Sequence, residues 1–295
     1  METRNSCIEK VSQRMKPFEQ ITSKINSELH HKLPRKWKKI GNIGILDLSN
    51  IDTKERKNIA KIYADVIGAK TILQKNKISG ELRKPEDTEI LYGDETVTEI
   101  SEYGIKYKLD LAEIMWSPGN IGWRSALSGP DKVSDFYTFD RPNTIIDYFA
   151  GIGYFSIQMA KGYPEAEIIA IDKNPKSVEY LSLNAKNNSV ENMKIINDDC
   201  RNIEMKADVI HLGYIGNTID FLEHAHNCLN EHGIAIFHEA YRNSWLGFKS
   251  RSEWGTIPEK FTKLMDEKNF TVQKFERVKF YGPSTSHIIA KLKKN

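Results

Sequence analysis

The chain has 295 residues, enough for one large domain or two smaller ones, and at 39% hydrophobic and 28% charged it reads as neither disordered nor membrane-bound. No apolar run approaches the ~20 residues that span a bilayer, and the N-terminus lacks the apolar core of a signal peptide. Three scattered cysteines, Cys7, Cys200 and Cys228, form no CxxC pair, which predicts a cytoplasmic chain without a disulfide framework or a zinc site.

Charge divides the chain unevenly. Residues 1–40 hold ten lysines and arginines against four glutamates, although the whole chain is only +3. The densest part, "HHKLPRKWKK" (His30–Lys39), reads as a solvated arm or as a phosphate-contacting surface. Residues 5–30 repeat apolar side chains at helical spacing, through Ile8, Val11, Met15, Phe18, Ile21 and Ile25. Pro34, Gly41 and Gly44 then break the pattern. "IGILDL" predicts a short buried strand. "TKERKNIAKIYADVIG" predicts a helix capped by Asp52 or Thr53 and closed by Gly68. "KTILQK" predicts another strand, and "TEILYG", "TVTEISEYG" and "IKYKLDLAEI" alternate as antiparallel strands do. The expected division is a basic helical segment over 1–40, a small α+β domain over 41–130 and a third region over 131–295.

From residue 143 the texture changes. "NTIIDYF", "AEIIAID", "NMKIIND", "ADVIHLG" and "GIAIFHEA" predict five strands, with helices near 154–162, 175–188, 217–230 and 257–268. Strands alternating with helices argue a parallel sheet covered on both faces. "FTVQKFERVKFYG" and "SHIIAKLK" are joined too tightly for a helical crossover and predict an antiparallel hairpin at the sheet edge.

The first βα turn reads Asp147-Tyr-Phe-Ala-Gly151-Ile-Gly153. Glycine there lets the backbone approach a ligand without a Cβ in the way. The second strand ends in Asp172, placed to accept ribose hydroxyls, and the third is followed by Asp198-Asp199-Cys200-Arg201. Any one of these acids could simply cap a helix. Three at the carboxyl ends of adjacent strands point to a ligand of the adenosine type. The third glycine of a GxGxxG fingerprint is absent, since Ser156 stands there, and Asp147 would repel a pyrophosphate but could receive an ammonium. S-adenosyl-L-methionine fits better than NAD, which leaves an NAD-dependent oxidoreductase as a weaker alternative.

"DYFAGIGYFSI", "IIAIDKNPKSVEYLSLNAKNN" and "DDCR" resemble the catalytic domain of archaeal enzymes that modify tRNA position 37. "KKIGNIGILDL" and "ISGELRKPEDTEILYGDETVTEISEYGIKYKLDLAEIMWSPGN" resemble the small domain that precedes it. The resemblance covers roughly residues 33–295 and implies an α/β class I S-adenosylmethionine-dependent methyltransferase-like Rossmann domain. Its sheet is mostly parallel, with an antiparallel edge strand, and a small α+β domain comes before it. Two families share this plan, the guanosine-37 N1-methyltransferase and the wybutosine-pathway aminocarboxypropyltransferase. The former typically reads Ser-Pro-Arg where this chain has Ser117-Pro118-Gly119, and Asn-x-Pro where it has Leu212-Gly213-Tyr214. The latter resembles Ser117-Pro118-Gly119-Asn120, Leu212-Gly213-Tyr214 and His238-Glu239, apart from Trp123 where an acid usually precedes Arg124.

The resemblance implies transfer of the 3-amino-3-carboxypropyl group of S-adenosyl-L-methionine to carbon 7 of 4-demethylwyosine in tRNA(Phe), with 5′-methylthioadenosine leaving. It implies Ser117 and Arg124 on the methionine part, Asp172 on the ribose, Asp199 and the Cys200 backbone on adenine, and His238 or Glu239 as proton acceptor. Asp147, Gly151 and Gly153 complete the expected cofactor set. His30–Lys39, Lys291, Lys293 and Lys294 are expected on the tRNA backbone, and Tyr214 or Trp116 against a splayed base. The expected state is a monomer off the membrane. The methyltransferase and a catalytically silent tRNA-binding protein remain as alternatives.

Overall fold

The computed structural model describes residues 15–86, 88–116, 136–248 and 256–295. It divides into two compact units, one running to Glu99 and including Asp110–Glu113, the other Ile100–Leu109 with Ile114–Asn295.

In the first unit the stretch of helical spacing forms short elements. Among the described residues the apolar stripe is two short turns, the helix α1 (Pro17–Thr22) and a 3-10 turn over Ser27–Lys32. Pro17 sets the start of α1, where the Lys16 amide donates to Glu19 at 2.9 Å, and Asn26 starts the second turn by accepting from the Glu28 amide at 3.1 Å. Residues 5–14 lie outside the described residues. The sheet of this unit runs β1 (Lys38–Ile40), β2 (Ile43–Leu46), β3 (Thr71–Gln74) and, last, β6 (Ile90–Tyr92). Between β3 and β6 the chain forms the small pair β4 (Ile78–Ser79) and β5 (Lys84–Pro85). β2 and β3 are parallel, so a helix must cross over between them, and α2 (Thr53–Ile67) does. Asp52 caps it, accepting from the Lys54 amide, and Gly68 ends it at φ +66°. Ile59, Ala60, Tyr63 and Ala64 of α2 are buried with Leu46, Ile72 and Ile21.

In the basic stretch, Lys32, Arg35, Lys36, Lys38 and Lys39 are exposed. Lys39 Nζ donates to the Ile67 carbonyl at 2.9 Å, and Trp37 packs edge-on against Tyr63. The tryptophan is therefore part of this unit's packing.

The hairpin of β7 (Val97–Glu102) and β8 (Ile105–Asp110) forms a two-stranded sheet of its own. The second unit then builds a seven-stranded sheet from β9 (Thr144–Asp147), β10 (Glu167–Ile171), β11 (Met193–Ile196), β12 (Ala207–Leu212), β13 (Leu229–Arg242), β14 (Phe270–Gly282) and β15 (Thr285–Lys294). Their order is β11-β10-β9-β12-β13-β15-β14. Every pairing from β11 to β13 is parallel, and β15 runs antiparallel to both of its neighbours. The expected terminal hairpin is present, with β14 at the edge.

Period-2 alternation splits each strand between two cores. Ile146, Ile169, Ile210 and Phe237 face one cluster, while Ile145, Ile168, Val209 and Ile236 face the other. The helices are α3 (Ser156–Gly162), α4 (Pro175–Asn187), α5 (Leu222–Cys228), α6 (Asn243–Leu246) and α7 (Glu259–Asp266). The region expected as one helix over 217–230 starts instead as a 3-10 turn, Thr218–Phe221, and yields to β13 at Leu229. No helix among the described residues is long and apolar enough to cross a membrane.

Candidate active site

The parallel strands end on one edge of the sheet, where β9 and β12 diverge to opposite sides, and ligands of such sheets bind at that edge. After β9 the chain turns at Gly151 (φ +56°) and Gly153 (φ +97°). Both angles are strained for a side chain, and a Cβ on Gly153 would stand 2.5 Å from Ile157 and 2.9 Å from Leu181. The turn therefore presses close to α3 and α4, and at Gly151 the Tyr154 ring stands 2.7 Å from where a Cβ would be.

Asp172, at the end of β10, fixes that turn. Its Oδ2 accepts from the Gly151 amide at 2.7 Å and its Oδ1 from the Asn174 amide at 2.9 Å. Burial pushes its carboxyl up to about 6, against the pull of those two N–H groups, and Asp147 adds a little in the same direction. Sequence pattern did not single out Asn184 of α4, although it holds the turn from the other side. Its buried amide donates to the Ile152 carbonyl at 3.1 Å and to the Lys108 carbonyl at 3.1 Å, and its oxygen accepts from the Lys108 amide at 2.8 Å. Asn188, one helical turn on, pairs the same way with Lys106. An i, i+4 asparagine pair thus binds β8 as a neighbouring strand would. The signal was there, as two asparagines on the buried face of an amphipathic helix.

At the end of β11, Asp199 caps the 3-10 turn Cys200–Asn202. Arg201 grips it through Nε at 2.9 Å and Nη2 at 2.6 Å, and Lys173 Nζ stands 3.4 Å away. Hydrogen bonding from Arg201 is the main reason its carboxyl lies well below the usual carboxylate range. The Cys200 side chain is buried and its thiol is pushed up to about 12, so only its backbone can meet a ligand. A glycine turn, an acceptor at the end of β10 and an anchored polar turn after β11 suit the adenosine part of S-adenosyl-L-methionine.

Three of the expected site residues lie buried. Asp147 is 0% exposed, and both its oxygens are taken, Oδ2 by the Ser156 hydroxyl at 2.6 Å and Oδ1 by His211 Nδ1 at 3.0 Å. Its carboxyl faces inward, between α3 and β12. His238 is 1% exposed. Its Nε2 lies 3.2 Å from the Tyr137 hydroxyl and its Nδ1 3.0 Å from His287 Nε2. Burial, then His287, His211 and Lys279, hold it well below the usual histidine range, so it stays neutral. Glu239 is 5% exposed and accepts three backbone N–H groups, from Gly216 and Ala240 on Oε1 and Thr218 on Oε2, at 2.7 to 2.8 Å. Three of its roughly four acceptor sites are thus committed to the backbone, two of them to the loop after β12.

These groups join into one buried chain: Asp147 meets His211 Nδ1 at 3.0 Å, His211 Nε2 lies 3.5 Å from the Tyr137 hydroxyl, and Tyr137 leads through His238 to His287.

Trp116 is also buried, against Tyr107 and Tyr154, with centroids 5.6 and 5.5 Å away. Tyr214 is half-buried and stacks on Phe149 at 5.0 Å, and Phe221 meets Phe149 edge-on at 4.9 Å. This aromatic group closes the loop after β12. Lys294 is not available to a phosphate, because its Nζ donates to the carbonyls of His226 and Leu229. Lys291 Nζ donates to the Thr138 carbonyl at 2.8 Å. Ser117 and Arg124 lie outside the described residues.

Residues 98–263 match the TRM5/TYW2 methyltransferase domain. The chain belongs to the TRM5/TYW2 family. It carries that family's class I S-adenosylmethionine-dependent, Rossmann-like catalytic fold behind a small α+β domain, and residues 18–96 match the TYW2 N-terminal domain. The tRNA(Phe) (4-demethylwyosine(37)-C(7)) aminocarboxypropyltransferase of Pyrococcus horikoshii is 35% identical over 298 residues, covering 96% of this chain and 98% of the relative. A crystal structure of P. horikoshii TYW2 in complex with MeSAdo aligns with a TM-score of 0.73 and 31% identity, over 94% of this chain and 97% of that one. One of Methanocaldococcus jannaschii TYW2 in complex with AdoMet aligns with a TM-score of 0.62 and 29% identity, over 88% and 100%.

Proposed function

We propose that this chain transfers the 3-amino-3-carboxypropyl group of S-adenosyl-L-methionine to carbon 7 of 4-demethylwyosine at position 37 of tRNA(Phe), releasing 5′-methylthioadenosine. S-adenosyl-L-methionine supplies a sulfonium whose γ-carbon is open to attack while the thioether leaves. The protein's task is chiefly orientation, since the γ-carbon and not the methyl must face the acceptor. Gly151 and Gly153 offer backbone to the co-substrate, Asp172 accepts from the ribose, and the Asp199–Arg201 turn borders adenine. Ser117 and Arg124 hold the methionine part. The enzyme acts as a monomer, and the exposed cations of His30–Lys39 contact the tRNA backbone.

The observation that carries this reading is the end of β12. A Cβ on Gly213 would stand 2.6 Å from His211 Cε1, so the residue after Leu212 must be small while His211 stays paired with Asp147. Glu239 then pins Gly216 and Thr218, which sets Tyr214 against Phe149. This Leu-Gly-Tyr loop occupies the place where the methyltransferase pattern has Asn-x-Pro.

Incubation with S-adenosyl-L-methionine labelled in its carboxyl carbon and tRNA(Phe) bearing 4-demethylwyosine tests the proposal. Label enters the tRNA and 5′-methylthioadenosine appears in equal amount. Release of S-adenosylhomocysteine with unlabelled tRNA would overturn it in favour of methyl transfer.

A further inference from the structure

One imidazole stands between the glycine turn and the loop after β12. His211, next to last in β12, is 0% exposed. Its Nδ1 lies 3.0 Å from Asp147 Oδ1, while the other oxygen of that carboxylate accepts from the Ser156 hydroxyl at 2.6 Å. Asp147 ends β9 just before the turn, and Ser156 opens α3 just after it. The carboxylate therefore closes the turn across its base and ties it to β12. The ring is held on its other sides too. Phe155 packs on it with centroids 4.5 Å apart, and the Tyr137 hydroxyl lies 3.5 Å from its Nε2. A side chain so enclosed in a close-packed interior has little room to give.

The remaining side of the ring meets the loop. A Cβ on Gly213 would lie 2.6 Å from His211 Cε1, 3.2 Å from Nδ1 and 3.6 Å from Nε2, and these are its three nearest atoms. The Gly213 backbone is outside the left-handed region, so no φ there demands glycine. The demand comes from the ring alone. With no side chain at 213, the chain passes closely over the imidazole and delivers Tyr214 onto Phe149, which belongs to the glycine turn. The path from Asp147 through His211 and Gly213 thus returns to the turn it started from.

We infer that His211 is a positioning residue for the transfer, its ring being the wall that sets the Leu212-Gly213-Tyr214 loop at a fixed distance from the glycine turn, and so the acceptor relative to the sulfonium. Fully buried, it meets neither reactant and acts through Gly213. This rests on the proposed transfer reaction, and its test keeps the two apart by identifying the product as well as the rate.

The full-length chain is assayed with S-adenosyl-L-methionine and tRNA(Phe) bearing 4-demethylwyosine, and the Kd of each is measured separately. In His211→Asn the new amide stands near the place of Nδ1 and keeps a partner for Asp147, while the atoms that face Gly213 and Tyr137 are gone. Its kcat falls about 100-fold, the loss that a misplacement of about 1 Å brings, and both Kd values hold within about twofold. Gly213→Ala pushes on the same wall from the loop side and lowers kcat by a similar factor. In the double variant the added methyl enters space the ring has left, so kcat is within about threefold of either single variant, where independent sites would multiply to about 10⁴. Unchanged kcat in the single variants would overturn the inference. So would losses that multiply in the double variant, or a weakened affinity for S-adenosyl-L-methionine in His211→Asn, which marks damage to the turn. If His211→Asn does not fold, Gly213→Ala decides alone, since it leaves every buried pair in place, and wild-type kcat there overturns the inference. If the wild type releases S-adenosylhomocysteine in place of 5′-methylthioadenosine, the proposed transfer falls, and the same losses measured on methylation leave His211 in its role.

Discussion

Two halves of the same sheet edge treat their polar residues in opposite ways. On the β9–β10 side, Asp172 is partly buried and holds the glycine turn, its oxygens accepting from the Gly151 and Asn174 amides. On the β12–β13 side, His211, His238 and Glu239 lie buried with their polar atoms turned on one another and on the loop. In the proposed reading the first half presents groups to the co-substrate and the second sets the shape of the loop that positions the acceptor. Asp147 and Asp172 each accept a hydrogen bond on both oxygens, so what separates them is that Asp147 is fully buried and Asp172 is not.

The sharpest way to test this contrast is Gly153→Ala. It places a Cβ against Ile157 and Leu181 at a φ of +97°, and strain plus overpacking of about 2–4 kcal/mol falls on the turn itself. Binding of S-adenosyl-L-methionine drops by about 100-fold or more in calorimetry, while unfolding stays cooperative. An unchanged Kd would place the ligand elsewhere.

Glu239→Gln probes the closed half. A glutamine NH₂ must face one of three N–H donors, which costs roughly 1–3 kcal/mol of stability. The melting temperature falls, S-adenosyl-L-methionine binding holds within about twofold, and transfer slows in proportion to the displaced loop, with the shape of its pH profile kept. Loss of transfer with an unchanged melting temperature would restore Glu239 as a proton acceptor.

The smallest effect is a pH dependence of the open half. Burial raises the Asp172 carboxyl from its model-peptide value of 3.8 to about 6. The carboxylate is the better acceptor for ribose hydroxyls, so affinity for S-adenosyl-L-methionine rises severalfold as pH increases through about 6, and Asp172→Asn flattens the curve. The same shift acts oppositely on folding. The native chain holds a proton on Asp172 between about 3.8 and 6 that the unfolded chain has lost, so this group's contribution to stability falls as pH rises through that window. A titration with its midpoint near 4 would show that the carboxylate is not buried as described.

The sequence by itself determined the succession of strands and helices in the catalytic unit, the glycine turn and the acids near three strand ends, because period-2 alternation, φ-permissive glycines and strand–helix spacing are local signals, whereas the order of the strands in the sheet came from the tertiary structure. It also marked the Leu212-Gly213-Tyr214 and His238-Glu239 pair of motifs that separates the two related reactions. Which polar groups face a ligand was decided only by the tertiary structure. Asp147 and Asp172 look alike in sequence, yet His211 and Ser156, distant in the chain or on the following helix, consume one and leave the other at the turn. The length of β13 beyond its neighbours was equally invisible, since how far a strand outruns its sheet depends on the pairing partners that β14 and β15 bring to it.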